Sequence, residues 1–208
     1  MLSKKQVRML QLLDSQILAC KRCGLHNGGR CKPYWTTRSR YVIVGEAPGK
    51  QEVVENTPFI GMAGQVLWDT IYKVLRCMRS DFAIINSVNC RPTDGIRNLK
   101  PDRGDQVACK QWIRKFLKII EPEKVLILGN YAMGTMLGKH SGIVKFNATE
   151  GLLESYYKNA PFVISVHPAY TMYNKDDGLQ KLEEAIQKFN DVKRSIQLDL
   201  FEDKLFEI

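Results

Sequence analysis

Three polar side chains stand directly behind three separate apolar runs, and together they form a set that could do chemistry. Tyr41-Val-Ile-Val44 is followed by Gly45-Glu-Ala-Pro-Gly49, and Phe82-Ala-Ile-Ile85 by Asn86-Ser-Val-Asn-Cys-Arg-Pro92. Pro161-Phe-Val-Ile-Ser-Val166 is followed by His167-Pro-Ala-Tyr170, and a fourth run, Lys124-Val-Leu-Ile-Leu128, leads into Gly129-Asn130. Glu46 supplies a carboxylate, Asn86 an amide that both donates and accepts, and His167 an imidazole that can hold a proton. Singly, each has a plain reading as a turn or a hydrogen-bonded loop residue. Their shared placement is the signal, because open parallel sheets bind ligands beyond the carboxyl ends of their strands.

The cysteines form a second set: Cys20, Cys23, Cys31, Cys77, Cys90 and Cys109. In a reducing compartment, clustered cysteines are more often metal ligands than disulfides. Cys20-Lys-Arg-Cys23 can chelate one centre from a single turn. Cys90 and Cys109, with 18 residues between them, supply two more thiolates, and Cys31 competes for one of the four places. Four thiolates suit zinc or an iron–sulfur cluster, and spacing leaves both open. Cys77, inside an apolar helical pattern, reads as a small buried hydrophobe.

These residues need a frame to bring them together. The four apolar runs are short, rich in β-branched residues and not alternating, which predicts strands buried on both faces. Helical patterns lie between and around them, over Leu2–Cys20, Gly64–Met78, Asp102–Ile120, Tyr131–Leu137 and Asp176–Phe189, with Pro122 a stop signal behind the third. Alternating strands and helices predict an α/β fold, a three-layer α/β/α sandwich around a central four-stranded parallel sheet.

A chain of 208 residues suits one domain, expected over residues 1–190, with a tail over 191–208. Lys and Arg exceed Asp and Glu by 31 to 22, a net charge of +9 and a pI near 9.3, which points to a polyanionic partner such as nucleic acid. No apolar run approaches the ~18 residues that span a bilayer. The opening MLSKKQVRML lacks the apolar core of a signal peptide, so a cytoplasmic protein with no membrane association is expected.

Cys20-Lys-Arg-Cys23, Gly45-Glu-Ala-Pro-Gly49, Pro58-Phe-Ile-Gly61, Asn86 through Pro92 and His167-Pro168 resemble, in order and spacing, the motifs of family 4 uracil-DNA glycosylases. These are the iron–sulfur members of the uracil-DNA glycosylase superfamily, and the resemblance covers roughly residues 15–190. It implies an α/β/α fold and a monofunctional enzyme that everts uracil from DNA and hydrolyses its N-glycosidic bond, initiating base excision repair. It also implies a [4Fe–4S] cluster on Cys20, Cys23, Cys90 and Cys109, with Cys90 preferred over Cys31 for its Asn-x3-Cys-Arg-Pro setting. By the same resemblance Phe59 stacks on uracil, Asn86 reads its edge and His167 lies near its O2. Ala47, Pro48 and Gly49 offer backbone N–H groups, Glu46 positions water, and Glu52 limits the pocket near uracil C5. An aspartate in the better-known family 1 enzymes stands where this chain has Ala47. Arg91 is expected on the DNA, with Tyr170 or Met172 filling the gap that the everted base leaves. Rival readings are a glycosylase of the same fold for another damaged base and a non-catalytic, metal-stapled DNA-binding protein.

The tail carries one more motif. Gln197-Leu-Asp-Leu-Phe201 reads as a bacterial sliding-clamp pentapeptide, with Leu198, Leu200 and Phe201 as apolar anchors, Gln197 as a polar fix and Asp199 between them. It implies a bacterial or phage origin, and the enzyme is expected to be a monomer.

Overall fold

A computed structural model describes residues 1–153 and 160–192 of the chain. The clamp-like pentapeptide at 197–201 lies outside the described residues.

The four apolar runs form four parallel strands, β1 (Tyr41–Gly45), β2 (Phe82–Asn86), β3 (Lys124–Leu128) and β5 (Ala160–Ser165). A fifth strand, β4 (Glu150–Leu153), was not expected; it pairs antiparallel with β5 at the sheet edge, giving the order β2-β1-β3-β5-β4. Only Leu153 of β4 is buried, so its sequence carries no apolar run to announce it.

Among the described residues, six α-helices accompany the sheet: α1 (Lys4–Leu18), α2 (Lys50–Val54), α3 (Met62–Leu75), α4 (Arg103–Ile120), α5 (Gly129–Leu137) and α6 (Lys175–Asp191). Local chemistry sets their limits. Ser3 and Gln6 close a capping box at the start of α1. Asp102 caps α4 by accepting from the Asp105 N–H at 2.7 Å, and Glu121 ends it in the left-handed region just before Pro122.

Alternate strand residues serve opposite layers, as period-two geometry requires. Val42, Val44, Val125 and Ile127 pack with Leu13, Trp112, Phe116 and Met133 of α1, α4 and α5. Ile43, Ile84, Leu126 and Val163 pack with Leu67, Ile71, Leu182 and Phe189 of α3 and α6. With both sheet faces covered, the open end of the sheet is left for chemistry. Among the described residues, no helix is long and apolar enough to cross a membrane.

Candidate active site

The carboxyl ends of the parallel strands bring the expected residues together. Gly45 and Asn86, the last residues of β1 and β2, are register partners across the sheet. His167 stands two residues beyond β5 and opens a tight turn over Pro168–Met172. A cleft of about 400 Å³ at this end is lined by Phe59, Asn86 and His167, together with Ala47, Gly49, Glu52, Asn98 and Met172. Glu46 and Pro48 lie in the same loop but do not line it.

Phe59 is buried to 3% exposure, its ring centroid 5.9 Å from that of His167. Its backbone is left-handed, with φ of 53°, a conformation that costs a non-glycine residue on the order of 1–2 kcal/mol. Several bonds hold it there. Its N–H donates to Glu52 Oε1, and its carbonyl accepts from Trp68 Nε1 and Arg79 Nη1, each at 2.9 Å. Glu52 Oε2 accepts from the Gly49 N–H at 2.6 Å, so one carboxylate ties the loop after β1 to the phenylalanine loop. Arg79 is itself held over the rings of Tyr34 and Trp68, at 4.4 and 4.8 Å.

Two glycines make this approach possible. A Cβ on Gly45 would fall 2.3 Å from Asn86 Oδ1 and 2.8 Å from the Phe59 ring. A Cβ on Gly64, in the first turn of α3, would fall 2.2 Å from the Phe59 carbonyl oxygen, which is backbone and cannot give way. Only glycine lets these groups close on one another.

Asn86 is 4% exposed, and among the described residues its side-chain amide makes no hydrogen bond. The amide opens on the cleft, where it selects for a ligand that completes its hydrogen bonds. His167 Nδ1 accepts from the Ala169 N–H at 3.2 Å, which places the imidazole proton on Nε2. Burial pushes the imidazole pKa down to about 4, so the ring is neutral at pH 7. The protonation state left open by sequence is thus a neutral Nε2–H donor. Burial also pushes the Glu46 carboxyl up to about 7, partly opposed by Lys100. Tyr131 lies close enough to Glu46 to feel its charge.

Two residues depart from expectation. Arg91 was expected on DNA, but it is 7% exposed, and its guanidinium donates to Asn98 Oδ1 at 2.6 Å and to the Ile96 carbonyl at 3.2 Å. It braces the loop after β2 instead of offering a free cation. Tyr170 is anchored too: its hydroxyl donates to Asp177 Oδ2 at 3.3 Å and its ring packs with the α3–α6 layer. Met172 is 37% exposed and lines the cleft. Glu52 lines the cleft, yet both of its oxygens already accept backbone N–H groups. Trp68, Arg79, Gly64, Asn98 and Lys100 were not singled out as holding the site. Only the position of Gly64 in the Gly-Met-Ala-Gly start of a helix carries any signal of it.

The cysteines divide into a group of four and two that lie apart. Cys90 and Cys109 are buried, and each feels the charge of both Cys20 and Cys23. Cys31 is buried elsewhere, beside Glu52 and Arg79. Cys77 is half-buried against the α3–α6 layer. Arg30 donates from Nε and Nη2 to the Cys20 carbonyl, at 3.2 and 2.7 Å, and pairs its backbone with Cys90. Among the described residues, no three Cys, His, Asp or Glu side chains meet closely enough to hold one metal ion. A cluster asks for something looser, since each thiolate binds a different iron. Asn89 Nδ2, on the residue before Cys90, is buried without a hydrogen-bond partner, a donor left beside the thiols. Cys20, Cys23, Cys90 and Cys109 thus make up a thiol-only donor set, the chemistry that an iron–sulfur cluster takes and that zinc also takes.

The family model of the Uracil DNA glycosylase superfamily matches residues 33–191. A type-4 uracil-DNA glycosylase of Sulfurisphaera tokodaii is 29% identical over 194 residues, covering 88% of this chain and 84% of the relative. One of Saccharolobus solfataricus is 28% identical over 92% of this chain and 91% of its own. One of Pyrobaculum aerophilum is 30% identical over 77% of this chain and 83% of its own. The chain belongs to the uracil DNA glycosylase superfamily and, within it, to the type-4 branch.

Proposed function

We propose that this protein removes uracil from DNA by hydrolysing its N-glycosidic bond, the opening step of base excision repair. The observation that carries the reading is the meeting of Phe59, Asn86 and His167 on one cleft of about 400 Å³. The base must leave the duplex to enter such a cleft. Phe59 then offers a flat apolar face. The unpartnered Asn86 amide donates to uracil O4 and accepts from N3–H; cytosine presents the reverse pattern and leaves both groups unpaired. Negative charge grows on the departing base, and the His167 Nε2–H, with backbone N–H groups of Ala47–Gly49, faces it as a ready-made donor set. Glu46, when ionised, orients the water and balances positive charge on the deoxyribose. Met172 fills the space that the base vacates. The net charge of +9 draws the DNA in without sequence preference.

Cys20, Cys23, Cys90 and Cys109 would hold a [4Fe–4S] cluster. The cluster supplies a structural staple between the N-terminal segment and the loop after β2, and no step of the excision runs through it. The pentapeptide Gln197–Phe201 would recruit a bacterial sliding clamp to a protein that works as a monomer, with the catalytic domain over residues 1–190.

The test is direct. Protein purified without oxygen should be yellow-brown and should leave alkali-labile sites only at uracil in a panel of modified oligonucleotides. Borohydride should trap no adduct: hydrolysis by water forms no Schiff base, although Lys50 lines the cleft. Cleavage at another base alone would assign a different substrate, and no cleavage at all would overturn the enzymatic reading.

A further inference from the structure

Asn98 has no role in the reading above, yet its side chain on the rim of the cleft is held in one orientation. It closes a small hairpin, bridging to Thr93, with the Leu99 N–H donating to the Pro92 carbonyl at 2.8 Å. Asp94 holds the hairpin tip by accepting from the Ile96 and Arg97 N–H groups, at 3.0 and 2.7 Å. Buried Arg91 spans the hairpin from inside, donating to Asn98 Oδ1 at 2.6 Å. A guanidinium has donors and no acceptor, so this contact fixes which way the amide faces. The oxygen points to Arg91, and the NH2 must point away.

That NH2 sits against the cleft. Asn98 Nδ2 lies 3.6 Å from where a Cβ on Gly49 would be, and Asn98 and Gly49 line the cleft together with Phe59, Asn86 and His167. Among the described residues, nothing accepts from Nδ2. The residue is exposed, so this donor stands at the mouth and not on the floor. Its partner in a complex must therefore be an acceptor at the mouth. An everted nucleotide enters base first and leaves its sugar and phosphates there. Phosphate oxygens are charged acceptors that bind N–H groups strongly, and Lys50 on the same lining favours them.

We infer that Asn98, its amide aimed by Arg91, is a DNA-binding residue that donates from Nδ2 to a phosphate oxygen flanking the everted nucleotide. The inference rests on the base-everting reading proposed above. It gives Arg91 a part in DNA binding that runs through another side chain.

Asn98→Asp separates this from a structural role. Aspartate keeps the oxygen that Arg91 needs, so the hairpin and the melting temperature should hold. It loses both N–H donors and sets a negative charge before the phosphate. KM for a uracil oligonucleotide should rise about 10- to 100-fold with kcat nearly unchanged. Inhibition by free uracil, which has no phosphate, should not change. Asn98→Ala, with no added charge, should also raise KM. A methylphosphonate at one linkage beside the uracil should weaken wild-type binding and add no further loss in Asn98→Asp. Wild-type KM in Asn98→Asp, or an equal loss of free-uracil inhibition, overturns the inference while leaving the glycosylase reading intact. A wild-type protein that never excises uracil overturns that reading, and the methylphosphonate binding series still decides the contact.

Discussion

Asn86 ends β2 and Cys90 follows four positions later, yet the corners they belong to are built differently. At the Asn86 corner the polypeptide supplies its own constraints. Glu52, Trp68 and Arg79 fix the Phe59 backbone, and Ala169 fixes the His167 ring. Two absent Cβ atoms let the groups meet. What stays unpartnered there, the Asn86 amide and the His167 Nε2–H, is what a substrate would complete. At the Cys90 corner the reverse holds. Burial pushes the Cys90 thiol up to about 11 and Cys109 up to about 12, so as thiols they are held in the form that binds no metal. A metal centre inverts this by binding the thiolates, and its binding free energy is then folding free energy. The first corner is complete when the chain has folded; the second, on the cluster reading, is finished by what it binds.

The contrast breaks most sharply with one variant in each corner. Asn86→Ala should lower kcat by about 10²–10³-fold while leaving the melting temperature and the visible spectrum alone. Cys109→Ser should do the opposite, bleaching the spectrum and lowering the melting temperature by roughly 10 °C, a loss of a few kcal/mol. Residual protein that stays folded should still excise. If Asn86→Ala melted like Cys109→Ser, or Cys109→Ser kept both its colour and its stability, the two corners would not be built as described. Gly45→Ala belongs with the first class: the new methyl must displace the Asn86 amide or the Phe59 ring, so excision falls more than stability.

A pH profile sharpens the same comparison from the cleft side. Glu46 is pushed up to about 7, chiefly by burial. If its ionised form is needed, kcat/KM should climb as pH rises through about 7, and Glu46→Gln should flatten that limb and lose on the order of 10²-fold at pH 8. The stability sign runs the other way. A carboxyl with a raised folded pKa contributes stability that is present below its ordinary value of 4.5 and lost as pH rises through about 7. Glu46→Gln should therefore gain on the wild type in melting temperature above pH 7. His167, pushed down to about 4, should add no limb between pH 5 and 9. Its neutral burial contributes stability above its ordinary value of 6.5 that is lost as pH falls through about 4.

The parts of the molecule that announced themselves in sequence are those whose neighbours are close in chain or uniform in chemistry. Strands buried on both faces write continuous apolar runs, and all four parallel strands were legible. Strand β4 was not, because it is an edge strand buried at Leu153 alone, and α2 was not, because five residues give no period to read. Asn86 and His167 were legible from their place behind strands. The posts that hold Phe59 were not: Arg79 is twenty residues away, and nothing in its sequence neighbourhood tells a surface arginine from one stacked between Tyr34 and Trp68. Arg91 misled for the same reason, since its partner Asn98 is fixed by a hairpin that only the fold reveals.

Tyr170 and Met172 carry the smallest expected effect and the finest distinction. Both belong to the turn behind His167, and sequence alone treats them as equal candidates for the gap in the duplex. The fold separates them: Tyr170 is drawn back by Asp177 and the α6 packing, while Met172 faces the cleft. Tyr170→Phe removes one exposed hydroxyl contact and should shift the melting temperature by roughly 1–2 °C at most, with excision unchanged. Met172→Ala should leave stability alone and slow excision severalfold in duplex DNA, where a base pair must be opened and its space filled. Excision in single strands should be spared, since there is no stack to hold apart. If Tyr170→Phe were the variant with a duplex-specific defect, the wedge would be the tyrosine after all, and the turn would have to swing away from α6 on DNA.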